Sequence, residues 1–177
     1  TTKENPQQIK SDETTDWKTY VNSEDRYLFK YPPNWYVISP GNDGTNSIII
    51  QNFKDSEITL EEKKVTSLDK DKVSMTIGRY NETLPKGELL LDWLKENNYY
   101  QSAMVGEPMK VEDILIAGKP ALKLIYQTGP HHIFTDTKSV FYSYFTPENS
   151  VHAQITEEIL NTIQFLNQKT GKVCKID

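Results

Sequence analysis

The chain begins its ordered pattern with two runs in which apolar and polar side chains alternate, as in strands with one face on a core. The first run covers residues 17–21, and the second covers residues 27–31, where three aromatic side chains share one face. Residues 22–25 between them are polar and predict a turn, so the two runs predict a hairpin. Pro32 and Pro33 end the second strand because proline has no N–H to donate to a sheet.

Alternation and short apolar runs predict further strands along the chain. These strands cover residues 35–38, 47–51, 73–80, 111–116, 121–127, 139–145 and 151–155. The clearest hairpin joins residues 111–116 to residues 121–127 through a glycine-containing turn at 118–120. The run at 139–145 carries large side chains on both faces, which predicts a central strand covered on both sides.

Two segments have the spacing of amphipathic helices. The first covers residues 88–95, with Gly87 before it and the pair Asn97 and Asn98 as its end. The second covers residues 156–166, with Thr156 as the predicted N-cap and apolar side chains at i, i+4 and i+7. These apolar side chains are Leu90, Leu91, Trp93 and Leu94 in the first helix, and Ile159, Ile163 and Leu166 in the second.

The remaining segments are read as loops, a leader and a tail. Residues 53–72 are charge-rich and predict a loop with one helical turn around Leu60, and residues 129–137 predict a second loop. The order of strands, helix, strands and helix predicts an α+β domain, an antiparallel sheet flanked by helices, over residues 17–167. The almost wholly polar residues 1–16 predict a disordered leader or tether, and residues 168–177 a polar tail.

Composition narrows the classes of partner. The chain of 177 residues carries a formal net charge of -5, from 25 acidic and 20 basic residues, without a dense run of lysine or arginine. We therefore expect no nucleic-acid partner. No apolar window approaches the length of a membrane-spanning helix. Cys174 is the single cysteine, which excludes an internal disulfide and a cysteine-based zinc cluster.

The most suggestive group for chemistry is His131 and His132 with Asp136, because imidazoles and a carboxylate can together hold zinc or a similar divalent metal. His152, expected on a neighbouring strand, is a further candidate ligand. Adjacent residues of an extended segment point to opposite faces, so sharing one metal requires a bend after Pro130. A solvated loop is the favoured interpretation, and no other cofactor is predicted.

Catalytic sequence motifs are missing from the chain. It contains no G-x-S-x-G, no S-x-x-K, no P-loop and no G-x-G-x-x-G. Three aromatic residues, Trp93, Tyr99 and Tyr100, are candidates to line a ligand or partner groove beside the first helix. Core and interface packing is the competing interpretation for such side chains.

Three motifs carry a family resemblance that spans most of residues 17–166. Residues 17–20, followed by residues 27–35 with Phe29, Tyr31, Pro32 and Trp35, resemble the opening of PsbP-like domains. Residues 116–121 resemble the glycine-turn hairpin of that family, and residues 158–165 resemble its closing helix. The resemblance implies an α/β/α sandwich, a fold shared by photosystem II extrinsic subunits, a Ran-binding nuclear protein and many bacterial lipoproteins. It also implies a protein that works by binding partners, which is an analogy of fold.

Two functional hypotheses follow from the sequence. The first is a non-catalytic extracytoplasmic binding or assembly module with a protein partner in the cell envelope, either secreted or anchored through a lipidated cysteine upstream. The start without methionine at Thr1 fits a removed signal segment and equally a trimmed chain. The second is a metal-dependent or carboxylate-based hydrolase that acts at the loops around residues 53–72 and 129–137. A deep pocket with converging titratable groups distinguishes the second from the first.

Overall fold

The computed structural model describes residues 14–38, 47–57, 68, 71–101, 106–136, 138–146 and 151–166. Within these ranges the chain forms ten strands, two α-helices and one short 3-10 turn. In chain order they are β1 (Lys18–Asn22), β2 (Tyr27–Tyr31), β3 (Tyr36–Ile38), β4 (Ser47–Gln51), the 3-10 turn (Asp55–Glu57), β5 (Ser74–Thr83), α1 (Leu90–Glu96), β6 (Lys110–Ile116), β7 (Lys119–Tyr126), β8 (Gly129–Thr135), β9 (Ser139–Thr146), α2 (Ala153–Asn161) and β10 (Gln164–Phe165).

The strands form two antiparallel sheets. The large sheet has seven strands in the order β3-β4-β5-β9-β8-β7-β6, and the small sheet has three in the order β1-β2-β10. Strand β9 is the fourth of seven, which confirms the predicted central strand at residues 139–145. The predicted hairpins β1–β2 and β6–β7 are also confirmed. Ala117 and Gly118 form the second hairpin's turn, both with positive φ, as the tight turns of right-twisted hairpins require.

The two faces of the large sheet are covered by different elements. The α2 face, which carries Ile77 and Phe141, packs against helix α2 and the small sheet. The α1 face, which carries Leu122, Leu124 and Ile133, packs against helix α1. The predicted α+β class, with an antiparallel sheet flanked by helices, is therefore confirmed.

The core of the α2 face is built from aromatic and branched side chains of both sheets. Phe29, Ile50, Met75 and Phe141 are fully buried there, and each contributes about 1.5–3 kcal/mol relative to an exposed side chain. The ring of Tyr27 meets the ring of Phe141 edge-on, with a centroid separation of 5.6 Å. The small sheet is thus held to the large one by direct aromatic contact.

The end of the chain corrects two predictions. Residues 151–155 do not form a strand, because helix α2 begins at Ala153 with His152 as its N-cap. Thr156 lies inside the helix, where its hydroxyl donates to the carbonyl of Ala153 at 2.6 Å. The helix ends at Asn161 rather than continuing to residue 166. Residues 164–165 form β10 instead, because Phe165 pairs with Tyr27 of β2 and still faces the same core.

The predicted loop at residues 129–137 is also wrong. Residues Gly129–Thr135 form strand β8, which pairs with β7 on one side and β9 on the other. Glycine, proline and two histidines are not typical strand residues, so the sequence pattern did not predict a strand here. Pairing with a strand on each side determines the extended conformation. Pro130 is tolerated because it lies at the second position of the strand.

Two other boundaries differ from the prediction. Helix α1 begins at Leu90, with Leu89 as its N-cap, later than the boundary predicted at Gly87, and it ends at Glu96 with Asn97 as its C-cap, close to the predicted end. Strand β5 continues to Thr83, beyond the expected end at residue 80. The helical turn predicted around Leu60 lies outside the described residues, and the domain boundaries at residues 17 and 167 stay predictions.

Candidate functional site

A groove lies between the start of helix α1 and the β6–β7 hairpin. It has a volume of about 440 Å³. Helix α1 is seven residues long and packs on the sheet through Trp93 and Leu94, which are buried against the α1 face. The lining of the groove is Leu89, Leu90, Leu91, Val111, Asp113, Pro120, Ala121 and Leu122. The surface is therefore apolar, with Asp113 as the one titratable residue in that lining.

Two highly exposed leucines lie at this end of the molecule. Leu89, at the start of α1, is 70% exposed, and Leu115 of β6 is 66% exposed. By strand alternation Leu115 projects on the same face of the sheet as Val111 and Asp113. Exposed apolar side chains beside a groove with an apolar lining are typical of surfaces that bind ligands or partners.

Glu88, just before helix α1, and Asp92 and Glu96 within it form a group of neighbouring carboxylates. Burial raises the pKa of Glu88 above its usual range, and the nearby carboxylates of Glu96 and Asp92 raise it further. These groups repel one another and attract cations. Asp113 is the acidic residue within the groove lining itself, and a positively charged group is favoured beside a carboxylate over a negatively charged one.

The structure separates the two histidines proposed as metal ligands. On strand β8 they project to opposite faces, as extended backbone dictates. His131 lies between the rings of Tyr126 and Tyr144, at centroid distances of 4.7 and 5.3 Å. Burial, and then the neighbouring His132, lower the pKa of His131 to about 4, so its imidazole is neutral at pH 7.

Asp136 and His152 have structural roles in the described chain. The Oδ1 atom of Asp136 accepts hydrogen bonds from the backbone N–H groups of Lys138 and Ser139, each at 2.8 Å, and so fixes the β8–β9 turn. His152 packs edge-on against Trp35 at 6.1 Å. Among the residues described, no group of three histidine, cysteine, aspartate or glutamate side chains could hold a metal ion. The described structure does not bring these side chains together around one position, and the metal site stays a prediction.

The three aromatic candidates beside α1 belong to a packed cluster. Trp93 is 2% exposed, and its indole N–H donates to the carbonyl of Thr83 at 3.1 Å. The rings of Tyr99 and Tyr80 pack at a tilt with their centroids 4.1 Å apart, and the carbonyl of Tyr100 accepts a hydrogen bond from the hydroxyl of Tyr126. None of Trp93, Tyr99 and Tyr100 lines the described groove. Their role as a partner surface stays a prediction.

A buried polar network beneath α2 was missed in the sequence. His132 is 1% exposed, and its Nε2 lies 3.1 Å from Oε2 of Glu157. Lys123 donates to Oε1 of the same carboxylate at 2.6 Å. The cross-strand pairing of Lys123 with His132 places both side chains on one sheet face, and the packing of α2 brings Glu157 over them. Burial alone raises the pKa of Glu157, but its close contacts with His132 and then with Lys123 lower it to about 2.

Ser143 completes a set of residue types that hydrolases use as a catalytic triad. It pairs across the sheet with His132, which contacts Glu157. Ser143 and His132 are each only 1% exposed, so a substrate cannot reach them. Among the described residues, neither Oγ of Ser143 nor either imidazole nitrogen of His132 has a hydrogen-bond partner, whereas a triad needs the hydroxyl bonded to the imidazole. This set of residues is an element of the core.

Solved structures of other proteins are similar to this chain in backbone arrangement. No protein-family model and no curated protein matches the chain. A crystal structure from Bacteroides thetaiotaomicron VPI-5482 is 14% identical, with a TM-score of 0.49, and covers 85% of this chain. The chain spans only 49% of that structure. The solution structure of cyanobacterial PsbP (CyanoP) from Synechocystis sp. PCC 6803 is also 14% identical, with a TM-score of 0.47, and the match covers 84% of this chain and 92% of CyanoP.

Similarity this low carries no argument about function. It is a similarity in backbone arrangement alone. In the described part of the chain, neither helix is long and apolar enough to cross a membrane.

Proposed function

We propose that the chain is a non-catalytic binding module that holds an apolar segment of a partner in the groove between α1 and the β6–β7 hairpin. The observation that supports this proposal is the groove itself, which is apolar and has Leu89 and Leu115 exposed beside it. A catalytic site needs several titratable groups that converge on a substrate, and this groove has only Asp113 in its lining. A concave surface lined mainly by apolar side chains is instead typical of binding sites.

No observation among the described residues favours the hydrolase hypothesis. One of its two proposed loops, residues 129–137, contains strand β8. Of the other, residues 53–72, only residues 53–57, 68, 71 and 72 are described. We therefore propose the binding function alone.

We place this module outside the cytoplasm, where it meets a protein partner of the cell envelope. The support comes from the sequence motifs that resemble PsbP-like domains, together with the polar residues 1–16, which suit a tether. The reading frame upstream of Thr1 tests the location. We expect a signal segment, with a lipidatable cysteine if the module is anchored, and a frame that encodes no signal segment contradicts the proposal.

Site-specific crosslinking tests the groove. A photoactivatable amino acid is introduced in place of Leu89 or Leu115 in the full chain, which is produced in its own cells and irradiated. Matched controls carry the same amino acid in place of Val21 or Val151, which are also exposed apolar residues but lie away from the groove. We expect one discrete crosslinked product from each groove position and none from the controls. Equal yields at all four positions, or no product at the groove, contradict the proposal.

A further inference from the structure

We propose that strand β6 binds an extended peptide as an additional strand of the large sheet, with a lysine or arginine of the peptide opposite Asp113 and apolar residues on either side of it. This inference rests on the proposed binding function and names the class of ligand. Strand β6 lies at the edge of the sheet, where one row of backbone N–H and C=O groups has no strand partner in the described chain. Proteins commonly recognise extended peptides by such strand addition.

Length distinguishes β6 from the other described edge of the large sheet. Strand β6 has seven residues, whereas β3, at the opposite edge, has three. Short edge strands are one of the means by which proteins prevent unwanted pairing. Seven residues are enough for β6 to pair with a short extended peptide over its whole length.

Strand alternation defines what the peptide meets on the groove side. Val111, Asp113 and Leu115 project on the α1 face, and the first two of them line the groove. An added strand places every second side chain directly beside these three residues. The matching pattern in the peptide is therefore apolar, any residue, basic, any residue, apolar.

Charge determines the central position of that pattern. Asp113 is exposed and has no ion-pair partner among the described residues. Glu112, on the other face of the same strand, already pairs with Lys110 at 2.5 Å. Opposite charges that face each other across two strands stabilise the pairing, and like charges destabilise it. The net charge of -5 also favours a cationic ligand.

Asp113 also disfavours a second copy of this chain as the strand that pairs with β6. Two β6 strands that pair antiparallel over all seven residues place Asp113 opposite Asp113 of the second copy. The two carboxylates repel each other at the centre of the pairing. A peptide with a basic residue at that position gains an ion pair instead, so a foreign strand is preferred over self-association.

Synthetic heptapeptides test the proposal with the protein as it exists. One peptide carries valine, lysine and valine at its second, fourth and sixth positions, and threonine elsewhere. A matched peptide has glutamate in place of the lysine. We expect fluorescence anisotropy to show about tenfold tighter binding of the lysine peptide, from the difference between an attractive and a repulsive cross-strand pair. We expect Asp113→Lys to reverse this preference and Asp113→Asn to remove it.

Backbone methylation separates strand pairing from simple occupation of the groove. Methyl groups on the peptide nitrogens that face β6 remove the pairing hydrogen bonds, and methyl groups on the opposite edge leave them intact. We expect only the first set to abolish binding. Equal effects of both sets, no preference between the lysine and glutamate peptides, or no binding of either peptide overturns the proposal. If these peptide results are negative but crosslinked products form at Leu89 and Leu115, the strand-pairing proposal is wrong and the proposed binding function is still supported.

Discussion

Replacing Glu157 with glutamine tests how the buried network holds helix α2 to the sheet. In the folded protein the carboxylate of Glu157 contacts Lys123 and His132, at 2.6 and 3.1 Å. The variant Glu157→Gln keeps the shape of the side chain but removes its charge. Lys123, whose side chain is 25% exposed, then has an uncharged acceptor in place of a carboxylate.

The pKa of Glu157 gives the size of the effect. A fall in this pKa from 4.5 to about 2 corresponds to about 3 kcal/mol of stabilisation at full strength. Solvent screening reduces this figure, because 34% of the side chain is exposed. We expect the variant to lose about 1–2 kcal/mol of unfolding free energy at pH 7, or about 3–6 °C in Tm.

The sign of the pH dependence follows from the direction of the shift. Because folding lowers the pKa of Glu157, its stabilisation is complete above the unfolded pKa of about 4.5 and declines as the pH falls towards 2. The difference in unfolding free energy between wild type and Glu157→Gln is therefore expected to be smaller at pH 3 than at pH 7. Urea unfolding followed by tryptophan fluorescence measures both values.

The adjacent residue supplies the control. Glu158 accepts a hydrogen bond from Gln154 at 3.2 Å on the exposed side of α2. We expect Glu158→Gln to change stability by less than about 0.5 kcal/mol. The reasoning is refuted if Glu157→Gln is as mild as this control at pH 7, or if its effect is the same at pH 3.

Three further predictions concern other parts of the structure. We expect Gly78→Ala to cost about 1–3 kcal/mol in urea unfolding, since the new Cβ lies 2.8 Å from Cε1 of Tyr142; a cost that persists in a Tyr142→Ala background argues against this clash. The imidazole of His131 should titrate near pH 4 by NMR, and stability should fall as the pH drops from about 6.5 to 4 because the unfolded chain binds the proton first; a midpoint near 6.5 contradicts the buried neutral ring. We expect Thr162→Val to cost about 1–3 kcal/mol because the N–H of Lys30 loses its 2.8 Å acceptor, whereas Thr162→Ser should restore most of that loss in thermal unfolding, and an equal loss in both variants would assign the effect to packing.

Local pattern was enough to predict much of the fold. The hairpins β1–β2 and β6–β7 follow from alternation and turn chemistry within about 20 residues of sequence. Pairing between distant segments was not predictable in this way. Strand β8 contains Gly129 and Pro130 and becomes a strand through its two neighbours, and Phe165 leaves the helix because it pairs with Tyr27.

The candidate site was less predictable than the fold. Asp113 and Leu115 lie in a strand that the sequence predicts, and alternation places them on one face. Whether that face is open depends on the order of the strands in the sheet and on the length of α1. Neither feature is encoded in residues 110–116 themselves. The sequence alone therefore does not indicate the groove, which depends on the position of β6 at the edge of the sheet.

The small sheet has a consequence for the order in which the protein is made. Strand β2 lies between β1, its immediate neighbour in sequence, and β10, which is the last described strand. The hydroxyl of Thr162 also meets the backbone of Lys30, 132 residues earlier in the chain. A ribosome must therefore synthesise the chain as far as Phe165 before β2 gains its second partner. Until then the apolar side of Tyr27 lacks part of its cover, and products that stop short of β10 are the ones we expect chaperones and proteases to recognise.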